Sequence, residues 1–284
     1  MIILSNNQWK NDENNDIWRA MGDDCSAQGR VDGLIDAYLE AMPDIIGMQE
    51  VSELMADLLM AGMNKKLKDL GLDACYSYIS GRDTPLAYRS DLLSLIESGF
   101  MLFPEEVPGL DGSFNNGETK SYSYGVFRER KSGKLIAVLT VHLWWKLSDP
   151  NSPYYQPFSD EARTWQLCQT MQKMDALMAK YSCPGIILGD FNAEMPSECM
   201  RTAYQQGWRD VHDMAVGERD DTRGYHRCGA GGYSRPEPLP FERALDHIML
   251  KSKVPVIVQR FCRICPEWFD RISDHYPLYT EISF

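Results

Sequence analysis

The stretch Gly185-Ile186-Ile187-Leu188-Gly189-Asp190-Phe191-Asn192 sets the tightest limit on how this chain folds. Its apolar run reads as a buried strand that carries an acid and an amide, two residues apart, out to its C-terminal end. Side chains along a strand alternate faces, so Asp190 and Asn192 point one way and Phe191 turns to the opposite packing layer. Two oxygen-bearing groups then share one patch, as metal or phosphate chemistry requires. A strand running into a turn also favours Asp and Asn for local backbone reasons, so this segment alone serves both readings.

The flanking sequence supplies the layers around it. Ile2 to Ser5 reads as a strand running into Asn6-Asn7-Gln8, and Val31, Leu34, Ile35, Tyr38, Leu39 and Met42 recur at helical spacing until Pro43. A second buried strand from Asp44 delivers Glu50 at its end, and a second helix runs from Leu54 to Leu70, stopped by Gly71. Short strands follow at 75–80, 85–89, 92–97 and 122–128, with a Pro- and Gly-rich loop across 104–117. Ser132-Gly133 turns a hairpin whose second strand, 134–142, ends in His142. An aromatic-rich loop and a helix carrying Trp165 to Met178 lead to the Asp190 strand. A short helix at 197–206, an arginine-bearing loop at 217–240 and segments at 243–250, 254–261 and 273–279 complete the chain. Helices mixed with many short strands predict two sheets packed face to face with helices outside, and 284 residues suit one large sandwich domain spanning 1–284.

Composition narrows the class. A net charge of −12 argues against a protein that grips long duplex DNA through its phosphates, since such proteins carry a basic face. A small substrate fits better. Eight scattered cysteines in a chain with enough apolar residues for a core read as free thiols, and Cys262-Arg263-Ile264-Cys265 lacks the second pair a zinc site needs. The apolar start Ile2-Ile3-Leu4 is too short for a signal sequence and no run reaches membrane-spanning length, so the chain is expected to be a cytoplasmic monomer, or periplasmic or secreted if a leader has been removed.

Several predicted strands end in groups suited to a hard cation or a phosphate: Asn7, Glu50, His142, Asp190 with Asn192, Asp246 with His247, and Asp274 with His275. Each alone has a dull explanation. As an ordered set, Met48-Gln49-Glu50, Thr140-Val141-His142-Leu143, Gly189-Asp190-Phe191-Asn192, Leu245-Asp246-His247-Ile248 and Ser273-Asp274-His275-Tyr276-Pro277 resemble the successive motifs of the endonuclease/exonuclease/phosphatase superfamily, the metal-dependent phosphoesterases related to DNase I. The motifs run from the first strand to the last, and Asn7 matches the family's first position, with Asn6 beside it. The resemblance implies a four-layered α/β sandwich of two mixed sheets between helices, with the site at one rim.

Carried over residue by residue, the resemblance implies Glu50 as main ligand of Mg²⁺ or Mn²⁺, helped by Asn7 and Asp274, oxygen donors that suit hard cations. It implies Asp190 and Asn192 for the attacking water, His142 as a donor to a phosphate oxygen, and His275, oriented by Asp246, as acid/base partner. His247 faces away from Asp246 on a regular strand and reads as packing, and Arg163 as a structural ion pair. Trp144, Arg223 and His226 are further candidates for contact with substrate. The expected activity is hydrolysis of a small phosphoester with a sugar, inositol or lipid alcohol part. The alternatives are a nuclease on short or single-stranded nucleic acid and a binding module that has lost its chemistry.

Overall fold

The computed structural model describes residues 1–10, 22, 24–220 and 244–284, and of residues 267 and 270 the backbone alone. Within them the chain builds two six-stranded sheets. The first holds β1 (Ile2–Asn7), β2 (Ile45–Gln49), β3 (Tyr76–Ile79), β4 (Leu86–Arg89), β11 (Ile257–Arg263) and β12 (Leu278–Ser283), in the order β11-β12-β1-β2-β4-β3. The second holds β5 (Leu93–Leu102), β6 (Ser121–Glu129), β7 (Leu135–His142), β8 (Gly185–Asp190), β9 (Arg209–Asp210) and β10 (Asp246–Lys251), in the order β5-β6-β7-β8-β10-β9.

Strand periodicity makes this a four-layered sandwich. Ile3, Ile45, Val138 and Ile186 fill the space between the sheets with Phe127 and Leu278. Their neighbours turn outward: Leu4 and Ile46 pack under α1 (Ala27–Ala41) and α2 (Glu53–Asp69), with Leu34, Tyr38, Met55 and Leu59. Leu139 and Ile187 pack under α3 (Ser159–Tyr181) and α4 (Glu198–Gln205), with Leu167, Met171, Met174 and Met200. Serines start three of these helices, as Ser26, Ser52 and Ser197 each accept a backbone N–H three residues on. Gly47 lets the sheets approach, because a Cβ there would stand 2.0 Å from Leu188 Cδ1. Among the described residues no helix is long and apolar enough to cross a membrane.

The topology concentrates polar groups at one rim. β1 pairs parallel with β2, and β7 with β8, so Asn7, Glu50, His142 and Asp190 arrive together at C-terminal strand ends. β6, β10 and β12 run antiparallel to these strands, which brings their N-terminal starts to the same edge: Ser121 stands opposite His142, and Asp246 opposite Asp190. Asp246, the first residue of β10, and Asp274, ahead of β12, thus reach the rim at the start of a strand and not at its end, a reversal of the sequence expectation. Ser273 to Pro277 is the approach to β12, which starts only at Leu278. β9, the short helix α5 (Val211–Met214) and a 3₁₀ turn at Glu267–Arg271 have no counterpart in the periodicity, being too short to show one.

Candidate active site

Two ends of strand and three residues of positive φ build the centre. β8 stops at Asp190, and Gly189 before it adopts φ 141°, where a Cβ would fall 2.0 Å from the Val141 carbonyl oxygen. This corrects the regular alternation expected for Asn192, which lies beyond the strand with φ 48°. Its side chain donates to the Leu143 carbonyl (3.1 Å), and its backbone N–H donates to Asp190 Oδ1 (2.8 Å). Glu50, just past β2, also sits in the left-handed region at φ 55°. Two non-glycine residues in that sparsely populated region, both carrying site groups, mark backbone strain held by the surrounding fold.

Around Asp190 the predicted residues converge. Asn7 Nδ2 donates to Asp190 Oδ2 (3.0 Å) and to Glu50 Oε1 (3.1 Å), bridging the two sheets. Its Oδ1 accepts the Trp9 N–H at 2.9 Å, so Asn7 presents its amide nitrogen to the carboxylates, whereas the expected cation ligation would use the oxygen. His142 Nε2 lies 3.6 Å from both Glu50 Oε1 and Asp190 Oδ2. His275 Nδ1 is 2.6 Å from Asp246 Oδ2, which turns Nε2 toward Asp190 Oδ2 at 3.9 Å and Asp274 Oδ1 at 4.0 Å. Ser273 Oγ donates to the Asn7 carbonyl (2.7 Å) and accepts the His275 N–H (3.1 Å), fixing the loop that presents Asp274 and His275.

The sequence reading missed Lys120. It directly precedes β6, opposite the end of β7, and its ammonium contacts both ring nitrogens of His142, at 3.3 Å from Nδ1 and closer to Nε2. Burial pushes Lys120 down to about 8, although Glu50, Asp190 and Asp83 support its charge. Burial and that neighbouring ammonium hold His142 well below its ordinary value, so the cation here is the lysine and His142 is a neutral ring. A signal existed: Lys120 is the last residue before a strand that pairs with the His142 strand, the position where antiparallel pairing places a side chain at the rim.

The electrostatics follow from many carboxylates in little water. Burial opposes ionisation of Glu50, but His142 wherever its ring is protonated, the charges of Lys120 and His275, and the Asn7 hydrogen bond outweigh it and hold the carboxyl below its usual value. Burial, with the charges of Glu50 and Asp190, pushes Asp274 up to about 7. Burial disfavours the imidazolium of His275, yet Asp246, Asp274 and Asp190 together raise it well above an ordinary histidine. Burial raises Asp246 as well, but the three carboxylates around His275 favour the imidazolium and keep the proton of the pair there.

Two sets of donor atoms, Glu50 with His142 and Asp190, and Asp190 with Asp246 and His275, each lie within 4.8 Å of one another. Buried Asp246 Oδ1 has no hydrogen-bond partner among the described residues. This crowd of carboxylate oxygens has the chemistry of a hard-cation site.

Three expectations fall elsewhere. Trp144 is 1% exposed and packs edge-on against Phe114 at 6.0 Å, which corrects its assignment to substrate contact: Leu143 and Trp144 both turn inward where the chain leaves β7. Arg223 and His226 lie outside the described residues. Buried Arg163 pairs with Asp160 (2.6 Å) and donates to the Trp144 and Lys146 carbonyls, the structural role expected of it.

A sandwich with this rim of acids, amide and imidazoles defines a class of phosphoester hydrolases. Comparison with family models matches residues 20–275 to the endonuclease/exonuclease/phosphatase family, and the chain belongs to that family. Comparison with curated proteins returns no match. Among solved structures, a Bacteroides vulgatus member of the family is 18% identical with a TM-score of 0.72, covering 100% of this chain and 98% of that one. A mannosyl-6-phosphatase from Bacteroides thetaiotaomicron is 19% identical with a TM-score of 0.68, covering 100% of both chains. TDP2 of D. rerio, complexed with single-strand DNA product, is 19% identical with a TM-score of 0.63, covering 100% and 99%. At these identities the structures establish the shared fold.

Proposed function

We propose that this chain is a Mg²⁺- or Mn²⁺-dependent phosphoester hydrolase acting by in-line attack of water, on a small phosphoester with a sugar, inositol or lipid alcohol part. The observation that carries the reading is the convergence of Glu50, Asp190 and Asp274 from both sheets beside a His275 imidazolium whose Nε2 faces Asp190 at 3.9 Å. Glu50 and Asp274 would hold the cation, which when bound stabilises the negative charge that gathers on the phosphoryl oxygens.

The chain's own groups divide the remaining work. Asp190 has one oxygen fixed by the Asn192 N–H, which leaves Oδ2, steadied by Asn7, to orient the water and take its proton. Lys120, buried against His142, donates to a non-bridging oxygen where charge develops. His275, with Nδ1 fixed on Asp246, gives its Nε2 proton to the departing alcohol oxygen as the bond to phosphorus breaks. The net charge of −12 and the bacterial mannosyl-6-phosphatase among the fold relatives support a small substrate over a long duplex.

The test is a panel of sugar phosphates, inositol phosphates, phospholipids, RNA oligomers and plasmid DNA, with Mg²⁺, Mn²⁺ or EDTA. Turnover of a small phosphoester that EDTA abolishes and Mg²⁺ restores is the expected result. Turnover confined to oligonucleotides would move the substrate to nucleic acid, and none anywhere would make this a binding module.

A further inference from the structure

The loop that leaves the site after His142 carries an unusual concentration of exposed aromatic surface: Trp145, Tyr154, Tyr155 and Phe158 are 40%, 58%, 43% and 41% exposed. Solvated rings of this size, grouped on one loop, mark a recognition surface more often than an accident of folding. The loop is also held rigidly. Leu147 N–H donates to the Tyr154 carbonyl (3.1 Å) and Gln156 N–H to the Leu147 carbonyl (2.9 Å), closing it on itself. Beneath it, Arg163 Nη1 donates to the carbonyls of Trp144 (2.6 Å) and Lys146 (3.2 Å), and Gln166 Oε1 accepts the Trp144 N–H (2.8 Å). The backbone on either side of Trp145 is thus fixed by buried side chains, and its indole rests against Trp144 and Tyr154, which lowers the entropy lost when the ring meets a ligand.

Its position ties this surface to the catalytic rim. Leu143 N–H donates to the Asp190 carbonyl (3.0 Å) and the Leu143 carbonyl accepts from Asn192 (3.1 Å). Trp145 is two residues further, so its Cα is within about 7 Å of that of Leu143. Trp145 and Tyr154 meet at 5.5 Å between centroids and 62° between planes, an edge-to-face corner backed by Trp144 at 6.3 Å from Trp145, with the indole still 40% exposed. Lys146 Nζ stands over the Trp145 ring at 5.8 Å from its centroid and at the same distance from that of Trp144, a single cation beside the corner. One corner with one cation, on a chain of net charge −12, is sized for a single ring and not for a strand of nucleic acid.

We propose that Trp145 and Tyr154 form the subsite for the alcohol part of the substrate, taking one sugar or nucleobase ring against the indole. The assignment rests on the phosphoester reading of the site and adds what that site selects.

Glucose 6-phosphate, adenosine 5′-monophosphate and the acyclic glycerol 3-phosphate separate the possibilities. Trp145→Ala and Tyr154→Ala should raise KM for one of the ring-bearing esters roughly tenfold more than for glycerol 3-phosphate, as loss of one stacking contact does, and Trp145→Phe should restore most of it. The ester that responds tells sugar from base. A binding readout stands apart from turnover. In the Asp190→Asn protein, the indole N–H resonance of Trp145, assigned through Trp145→Phe, should shift with that ester and stay put with glycerol 3-phosphate. If the parent hydrolyses these esters while the resonance is still and all three KM values respond alike, the subsite is overturned and the hydrolase stands. If the resonance shifts while none of the three is hydrolysed, the subsite stands and the hydrolase reading fails for these esters.

Discussion

Asp246 and His247 are consecutive residues on β10, and each belongs to a buried aspartate–histidine pair with a different purpose. Asp246 turns toward the rim and holds His275 Nδ1 at 2.6 Å; His247 turns to the opposite face and meets Asp210 Oδ2 at 2.9 Å through its own Nδ1. Both imidazoles are raised above an ordinary histidine against the opposition of burial, His275 by Asp246 and Asp274 and His247 by Asp210. The difference is at the second nitrogen. His247 Nε2 is taken up by the Ala193 carbonyl at 2.8 Å, whereas His275 Nε2 faces Asp190 and Asp274 across about a water's width. A charged histidine with both nitrogens engaged is a fastener between β9, β10 and the turn after β8. One with a nitrogen still facing reactive groups can move a proton.

The sharpest way to break this contrast is kinetic. His275→Ala or Asp190→Asn should lower kcat/KM on the best substrate of the panel by roughly 10²–10⁴-fold, the worth of a positioned acid or base. His247→Asn should leave it close to the parent value. Steady-state rates decide it: a His275→Ala enzyme within tenfold of the parent would place the two pairs in one class, the structural one. Lys120 comes next, because a preorganised donor is worth roughly 10²–10³-fold. Lys120→Met should lose that factor, and Lys120→Arg should keep part of it by retaining the charge. Full activity in Lys120→Met would assign its buried ammonium to structure, beside His247.

The two histidines also show what the sequence made legible. The order of the motifs carried the fold and seven of the convergent side chains, since each lies next to a strand whose apolar pattern is plain, as with Ile45-Ile46 before Glu50 and Ile186-Ile187 before Asp190. Strand alternation even separated His247 from Asp246 correctly. It failed beyond strand ends. Asn192 and Glu50 take left-handed backbone, Trp144 turns into a small cluster with Phe114, and Lys120 reaches the rim through antiparallel pairing, none of which a periodicity encodes. The orientation of Asn7, nitrogen toward the carboxylates, depends on the Trp9 N–H two residues away.

Stability should divide the pairs the other way. His247→Asn deprives a buried Asp210 of its partner, and an unsatisfied buried group costs about 1–3 kcal/mol, which for a chain of this size lowers the thermal midpoint by several degrees. Calorimetry of the two variants side by side measures it; a midpoint equal to the parent's would deny His247 its fastening role.

At the rim, removing the charge of Asp274 should instead stabilise the metal-free protein, because burial and the neighbouring Glu50 and Asp190 oppose its ionisation. Asp274 is the case where the sign can be worked out. Its carboxyl is pushed up to about 7 from an unfolded value of 3.8, first by burial and then by Glu50 and Asp190. A raised folded value means the native state binds the proton more tightly than the unfolded chain, so the associated stability is complete below about pH 4 and is lost as pH rises through 7. Asp274→Asn, which cannot ionise, should therefore raise the thermal midpoint in EDTA at pH 8 by the equivalent of up to about 4 kcal/mol and change it little at pH 4. Adding Mg²⁺ should reverse the order, since the cation that Asp274 helps to hold stabilises the parent by binding its native state and has less to bind in the variant. A variant no more stable than the parent at pH 8 in EDTA would mean that the rim carboxylates are relieved without a metal, and would remove the energetic contrast between the two sides of β10.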